Sequence, residues 1–481
     1  MNAQSKISTI NRKDAFLVFF LFVIATSISL SALAKAKEQV LYSFQGVPDG
    51  SVPVGGMVFD KNGNLYGATT EGGDSTCNPG GCGTVFELSP PAKEGDPWIE
   101  TQLWAFKGLH FNDGAEPVGG LVMDGAGNLY GTTAYQGAGP CQLLGSLEGC
   151  GVVYELSPPT QTGGAWRETI LYNFQGASDG FVPQGDLVFD SAGNLYGATR
   201  FGGGFGGYCN SAYYLGCGTI FELSKTQGTW TEKVLYAFKG IAPGTPVGDA
   251  SEPNGSLVLD SAGNIYGTTY YGGIGVTDRG GNGPLCGGGV SGLGCGTVFE
   301  LAPQGSSGSW METTLHRFTG YDDGANPSAG LIFDENGNLY GTSFAGGYEG
   351  DGLAFEMLAP NSSSNLWTEK ILLEFDPLSG SSPAGSLTLQ PGGILYGTAS
   401  EQGRSNGGTL FALQSVTAGR TEWSANVLYS FTSKGGVDPA YPDAKLVFDS
   451  TGTIYSSTLY GGGGQNCGTG GCGTVYEFVP K

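Results

Sequence analysis

At 481 residues, with 88 glycines and aromatic residues at 12%, the chain carries enough bulky apolar material to build a core, and its glycines fall at fixed intervals that mark turns. A formal net charge of −22 repels nucleic acid and anionic lipid head groups and favours solubility, cations or neutral partners. A disordered polymer and a nucleic-acid-binding protein are both excluded.

The first element is a targeting segment. Lys6, Arg12 and Lys13 precede an apolar run from Ala15 to Leu30, and Ala32-Leu33-Ala34 matches the small-x-small pattern of a signal-peptidase site. Residues 1–34 are therefore read as a cleaved signal peptide and 35–481 as the mature domain, exported to the periplasm or beyond the cell. An uncleaved anchor is the rival reading, because the apolar run is nearly long enough to span a bilayer. No second apolar run follows, so no membrane span is expected after cleavage.

From residue 38 onward four short β patterns recur, called A, B, C and D in chain order. In the first full unit they are Val54–Asp60, Asn64–Thr70, Gly83–Ser89 and Trp98–Phe106. A and B are joined by a tight Asp-x-x-Gly turn that recurs from Asp124, Asp190, Asp260, Asp334 and Asp449. It resembles the opening of a calcium loop but lacks the downstream acidic ligands. Strand B carries the most repeated motif, Gly63-Asn64-Leu65-Tyr66-Gly67, whose tyrosine returns as Tyr130, Tyr196, Tyr266, Tyr340, Tyr396 and Tyr455. In strand D, Trp98, Trp166, Trp230, Trp310, Trp367 and Trp423 each stand eight residues before a phenylalanine. A period of two places such pairs on one face of the strand.

The mature chain opens with a lone D strand, Glu38 to Phe44, and ends after a C strand, Gly473 to Phe478. Pairing the two ends completes a seventh sheet and hides an open edge. The expected fold is all-β: one seven-bladed β-propeller of four-stranded antiparallel blades, closed by pairing the N-terminal strand with the C-terminal three. A linear solenoid would leave those complementary ends unused. With A innermost, the D–A and B–C loops share one face of the disc.

All ten cysteines form five local pairs in B–C loops: Cys77/Cys82, Cys141/Cys150, Cys209/Cys217, Cys286/Cys295 and Cys467/Cys472. An even count in an exported chain reads as disulfides, and recurrence in one loop of each unit makes local pairing the simplest connectivity. Each bridge is worth roughly 2 kcal/mol by loop-closure entropy. Zinc is the competing reading, but two cysteines per site and two histidines in the chain do not complete tetrahedral shells.

The assembled unit resembles the GloVer tandem-repeat family of bacterial exported proteins. The matching signature is Leu41-Tyr42-x-Phe44, Asp49-Gly50-x-x-Pro53, Gly63-Asn64-Leu65-Tyr66-Gly67, Gly72-Gly73 and Gly83-Thr84-Val85-Phe86-Glu87-Leu88, recurring over residues 38–481. The resemblance implies export, often with a C-terminal sorting anchor, and no established activity. This chain ends at Glu477-Phe478-Val479-Pro480-Lys481 without such an anchor.

Two sets of residues on the disulfide-loop face are candidates for function. The D–A loops place Asp49, Asp113, Asp179, Asp249, Asp323 and Asp438 four residues before a proline, with Ser379 in the remaining unit. Together they could take a cation, but an aspartate before glycine commonly bonds its own turn, and recurrence in six units favours that role. At the end of strand B stand Tyr135, Phe201, Tyr271 and Tyr460, with Glu71, Ala345 and Glu401 in the other units. Aromatics beside carboxylates suit sugar rings; inter-blade packing is the alternative use. His110 and His316 occupy unrelated positions and read as surface or packing residues. No nucleophile motif, metal-binding histidine cluster or phosphate loop appears, so neither a cofactor nor a catalytic residue is expected. The expected function is an exported, monomeric binding propeller, for extracellular polysaccharide or an envelope protein. The alternatives are a carbohydrate-active enzyme using carboxylates at the channel mouth and a structural or adhesive envelope protein.

Overall fold

Why seven near-identical sheets form is visible in the A–B turn. Asp60 Oδ1 accepts from the backbone N–H of Asn62 and Asn64, at 2.8 and 2.9 Å, while Oδ2 accepts from the Asn64 side chain at 3.0 Å. Gly63, at φ +86°, supplies the left-handed residue that the turn requires. The same network recurs at Asp124, Asp190, Asp260, Asp334 and Asp449. Burial alone would raise these carboxyls, yet the donors hold Asp124, Asp190, Asp334 and Asp449 below the usual range.

The computed structural model describes residues 37–480 except 78–79, 94, 109–112, 144–146, 162, 177, 205–208, 210–215, 243–244, 246, 275–285, 287–293, 306–307, 362–363, 417–421, 433 and 465. The signal segment and His110 lie outside the described residues. Seven antiparallel sheets follow one another as the blades of a propeller. In blade 1, A is Gly50–Phe59, B Leu65–Gly72, C Thr84–Ser89 and D Ile99–Ala105. Strand A thus begins four residues before the expected Val54. Blade 7 joins Ala440–Pro442 and Val447–Phe448 (A), Ile454–Tyr460 (B) and Thr474–Val479 (C) to the N-terminal D strand, Lys37–Ser43. The register of that closure runs from Lys37 opposite Val479 to Ser43 opposite Thr474.

One expectation is overturned. Trp98 and Phe106 do not share a face: Trp98 packs against Tyr455 of the preceding blade and Phe106 against Tyr154 of the following one. Every D strand carries one unpaired residue, which reverses the alternation of side chains beyond it. That bulge residue is a leucine in all seven blades: Leu41, Leu103, Leu171, Leu235, Leu315, Leu372 and Leu428. The D strand therefore reaches both neighbours at once. Its tryptophan meets the previous blade's motif tyrosine, and its phenylalanine meets the next blade's C-strand ring, as in Phe44–Phe86, Phe174–Phe221 and Phe431–Tyr476.

All five expected disulfides are formed, Cys77–Cys82, Cys141–Cys150, Cys209–Cys217, Cys286–Cys295 and Cys467–Cys472, and no cysteine is left free. Both cysteines of each pair lie in the B–C loop, as expected, but their surroundings differ. Only the first of each is partly exposed; the second, Cys82, Cys150, Cys217, Cys295 or Cys472, is fully buried in the core. The reason is its position two residues before strand C. There it joins the apolar cluster of its blade's D-strand phenylalanine: Phe106, Phe174, Phe238, Phe318 and Phe44 respectively. These five cysteines are therefore core residues that tether a loop, and none of them belongs to an exposed site.

A further contact ties blade to blade near the axis. The residue before each A-strand proline has a positive φ, between 54° and 60°: Val52, Glu116, Val182, Glu252, Asn326, Ser382 and Tyr441. L-residues pay steric energy there, valine most of all. In six cases the N–H so turned donates to the preceding blade's B–C loop. In five of the six the acceptor is the carbonyl of a buried bridge cysteine: Val52 N to Cys472 O at 2.8 Å, Glu116 N to Cys82 O at 2.9 Å, Val182 N to Cys150 O at 3.1 Å, Glu252 N to Cys217 O at 2.8 Å and Asn326 N to Cys295 O at 2.7 Å. The bridges thus hold the acceptor of an inter-blade hydrogen bond. They are what an oxidising, exported setting permits. Among the described residues no helix is long and apolar enough to cross a membrane.

Candidate functional site

The A strands are innermost and bend around the axis at glycines. A Cβ on Gly55 would lie 2.2 Å from the Gly120 nitrogen, and one on Gly119 would lie 2.3 Å from the Gly185 oxygen. Backbone therefore meets backbone, and the axial cavity is only ≈ 270 Å³, lined by residues of all seven blades. Its ionisable side chains are Asp186, Asp443 and Lys445. Asp186 Oδ1 accepts from Gly120 N at 2.6 Å, and burial pushes the Asp443 carboxyl up to about 6.

The loop aspartates are employed locally. Asp49 accepts from the Tyr42 hydroxyl at 3.0 Å, Gln45 N at 2.9 Å and Gly50 N at 2.7 Å. Asp113 takes Lys107 N and Gly114 N, Asp179 takes Tyr172 Oη and Gln175 N, and Asp249 takes Tyr236 Oη, Lys239 N and Ala250 N. Asp323 accepts from Thr319, and Asp438 from the Thr432 hydroxyl at 2.7 Å. Each aspartate closes the loop that carries it. His316 lies 3.5 Å from Asp323 and 3.6 Å from Glu369, in the place where other D strands carry tyrosine.

The strand-B set occupies one register position in every blade, opposite the start of strand A: Glu71 faces Ser51, Tyr135 faces Ala115, Phe201 faces Phe181, Tyr271 faces Ser251 and Tyr460 faces Ala440. Ala345 and Glu401 bridge Ala325 and Ser381. Their surroundings differ. Phe201 is buried, stacked on Phe181 at 5.4 Å with the Arg200 guanidinium over its ring. That guanidinium also pairs with Glu252 at 2.9 Å. Tyr135 packs against the core between blades 2 and 3, and Tyr271 stands edge-on to Tyr270. Glu401 is exposed.

Tyr460 alone among the four aromatics is classed as exposed, at 41%. It stands between two clefts, the first where blade 7 meets blade 1 and the second within blade 7. One, of ≈ 690 Å³, is bounded by Glu71, Val52, Ser51, Asn466 and Thr469; the other, of ≈ 360 Å³, by Tyr441, Asp438 and Gly436. Tyr441 meets Tyr460 edge-to-face at 5.5 Å and 88°, which fixes the tyrosine as a platform. Among the described residues, those lining the two clefts include Glu71 and Asp438 and no lysine or arginine. Burial raises the Glu71 carboxyl, and burial together with the Glu71 charge raises that of Glu116.

The structure thus brings Glu71 and Tyr460 to one cleft and leaves Phe201 inside the fold. Reading by repeat missed Tyr441, because it is the residue before a proline, a position filled by five different side chains over the seven units.

A family model described as the Gloeobacter/Verrucomicrobia repeat matches residues 28–282 and 275–471. No curated protein matches significantly. Among solved structures, an ulvan lyase of polysaccharide lyase family 25 aligns over 91% of this chain and 95% of its own, at 11% identity and TM-score 0.52. The same type of lyase bound to a GlcA–Rha3S repeat gives 11% identity over the same shares and TM-score 0.51. A gluconolactonase from Xanthomonas campestris aligns over 93% and 90% at 11% identity and TM-score 0.38. Identities this low speak to the shared fold.

Proposed function

The chain belongs to the Gloeobacter/Verrucomicrobia repeat family, and from that premise we propose that it is an exported propeller that binds glycan at the seam between blades 7 and 1. The observation that carries this reading is Tyr460: an exposed aromatic face, held edge-on by Tyr441, between two clefts rimmed by carboxylates. A sugar ring stacks its apolar C–H face on such a platform and offers hydroxyls to Glu71 and Asp438. Because the lining carries carboxylates and no base, the ligand is a neutral or amino sugar polymer. The polyanion bound by the ulvan lyase of similar fold is disfavoured here. Glycan-array screening followed by calorimetry tests the proposal. Binding of neutral or cationic glycans that weakens at least tenfold in Tyr460→Ala supports it; the absence of any glycan binding, or binding indifferent to Tyr460→Ala, rejects it.

A second reading, a carbohydrate-active enzyme, rests on Glu71 and Glu116, whose carboxyls interact between blades 1 and 2 and stand above the usual range. Two carboxyl groups of unlike protonation are what glycoside cleavage requires. A product screen on diverse polysaccharides that stays blank for the native protein, or activity unaltered in Glu71→Gln and Glu116→Gln, counts against it.

A further inference from the structure

At the seams between blades, the D-strand glutamate of one blade interacts with the loop aspartate carried by the blade before it. The pairs are Asp49 with Glu100, Asp113 with Glu168, Asp179 with Glu232, Asp249 with Glu312, Asp323 with Glu369, and Asp438 with Glu38. Each glutamate stands six residues before its D-strand phenylalanine. At the one remaining seam the chain has Ser379 and Ala425, so both carboxyls are lost together. Loop closure by the aspartate does not explain why the glutamate disappears with it. The two groups work as a unit.

Two carboxylates that face each other in a partly buried seam repel, unless a proton lies between them. A tyrosine hydroxyl has a single proton; at the seam of Asp438 and Glu38, Tyr429 gives it to Glu38 at 3.2 Å. At three seams it goes to the aspartate: Tyr42 to Asp49 at 3.0 Å, Tyr172 to Asp179 at 2.8 Å, and Tyr236 to Asp249 at 3.0 Å. A glutamate on the other side of that oxygen can bond it only by donating, and hence only as a carboxylic acid. Where Trp104 replaces the tyrosine, Glu168 meets Asp113 directly, and two carboxyl oxygens bond only across a shared proton. In the fully ionised form, one oxygen each of Glu38, Glu168, Glu232 and Glu369 is buried with no donor in reach.

We propose that the seams of Glu100, Glu168, Glu232 and Glu369 each hold one proton on the carboxyl pair, carried by the D-strand glutamate, so that the closed propeller is locked in mildly acidic surroundings and loosens as the medium turns alkaline. Burial, then the neighbouring aspartate, pushes Glu100, Glu232 and Glu369 up to about 7 and Glu168 up to about 9; Glu38 and Glu312 are raised for the same leading reason. Other charges face the pairs: Lys107 acts on Glu168, Arg317 on Glu312 and Lys239 on Asp249. All three favour ionisation and oppose the shift. The phenols of Tyr154 and Tyr476 sit near the Asp113 and Glu38 seams and stay neutral. At the His316 seam the imidazole lies between the two carboxyls, 3.5 Å from Asp323 and 3.6 Å from Glu369.

The sign follows from linkage. The folded state holds protons that an unfolded glutamate, with a pKa of about 4.3, has already released. The contribution is complete below about 4.3 and is lost as pH rises through about 7, and through about 9 for Glu168. Each retained proton lowers the folding constant by about tenfold per pH unit across its window.

Thermal melts of the native protein at about pH 5 and about pH 8.5, spanning that window, should show a lower Tm at the higher pH. The double variant Glu100→Gln/Glu232→Gln, whose amides keep a donor without the charge, should reduce the fall. The exposed pair Glu335→Gln/Glu349→Gln, which removes the same formal charge, should leave it. A native Tm that is flat or rises with pH, or an exposed pair that flattens the profile as much as the buried one, overturns the proposal. Infrared difference spectra of the native protein decide it without any dependence on variant folding: a protonated-carboxyl band that persists near neutral pH is expected, and its absence rejects the shared proton.

Discussion

The motif Gly-Asn-Leu-Tyr-Gly is repeated because every one of its atoms is spoken for. Gly63 turns the chain, Asn64 and the Tyr66 hydroxyl bond Asp60, Leu65 is fully buried, and the Tyr66 ring meets Trp166 of the next blade at 6.1 Å. The second glycine makes room for a ring: a Cβ on Gly197 would lie 2.5 Å from Cζ of Phe221, and Gly67, Gly267, Gly341 and Gly397 stand in the same relation to their own C-strand phenylalanines. Blade 7 has Ser456 there, opposite Tyr476, so a Cβ is accommodated when the ring gives way. Gly197→Ala should therefore destabilise by about 1–3 kcal/mol through overpacking, read as a lower Tm in calorimetry; an unchanged Tm would show that Phe221 is not tightly confined. Repetition was legible in the sequence and pointed correctly to structure over chemistry. The D-strand glutamates were equally legible, six residues before six of the seven phenylalanines, but a single strand gives no hint that their partners lie one blade away.

At the scale of the element, strand D decides how blades join. Counting residues placed tryptophan and phenylalanine on one face, because an eight-residue spacing says nothing of a bulge; the invariant bulge leucine was visible, and its meaning was not. The terminal strand repeats the arrangement, with Phe44 fully buried against Phe86 of blade 1. Deleting residues 38–44 should destabilise the whole domain, by at least the ~3–5 kcal/mol that a lost core phenylalanine costs, and a truncated protein with the native Tm would contradict closure by that strand. The disulfides belong to the same scale. Their pairing was legible from recurrence, whereas the burial of Cys150, Cys217, Cys472 and their counterparts was not, because it depends on a phenylalanine one strand further on. Reduction removes roughly 2 kcal/mol per bridge and frees the carbonyls that receive the inter-blade N–H groups. Melts in reductant should fall accordingly, and peptide mapping without reductant should find Cys77–Cys82 and its four counterparts; bridges between units would overturn the assignment.

The whole molecule is a closed disc whose axial cavity is ringed by glycine-rich A strands in backbone contact with their neighbours, and whose variable chemistry lies on the disulfide-loop face. Fold class, blade number and closure were all readable from strand order, because each repeat states them again. The site was readable only in part: repeat phase picked out Tyr460 and Glu71, but also Phe201, which tertiary packing buries. The most direct measurement is calorimetric titration of the native protein and Tyr460→Ala with a neutral or amino-sugar oligosaccharide identified by array. The expected result is saturable binding to the native protein that weakens by at least about tenfold, ~1.4 kcal/mol, in the variant, with the melting curve unchanged. Equal affinity in the two proteins, or no binding to the native one, would contradict a glycan site at the blade 7–1 seam.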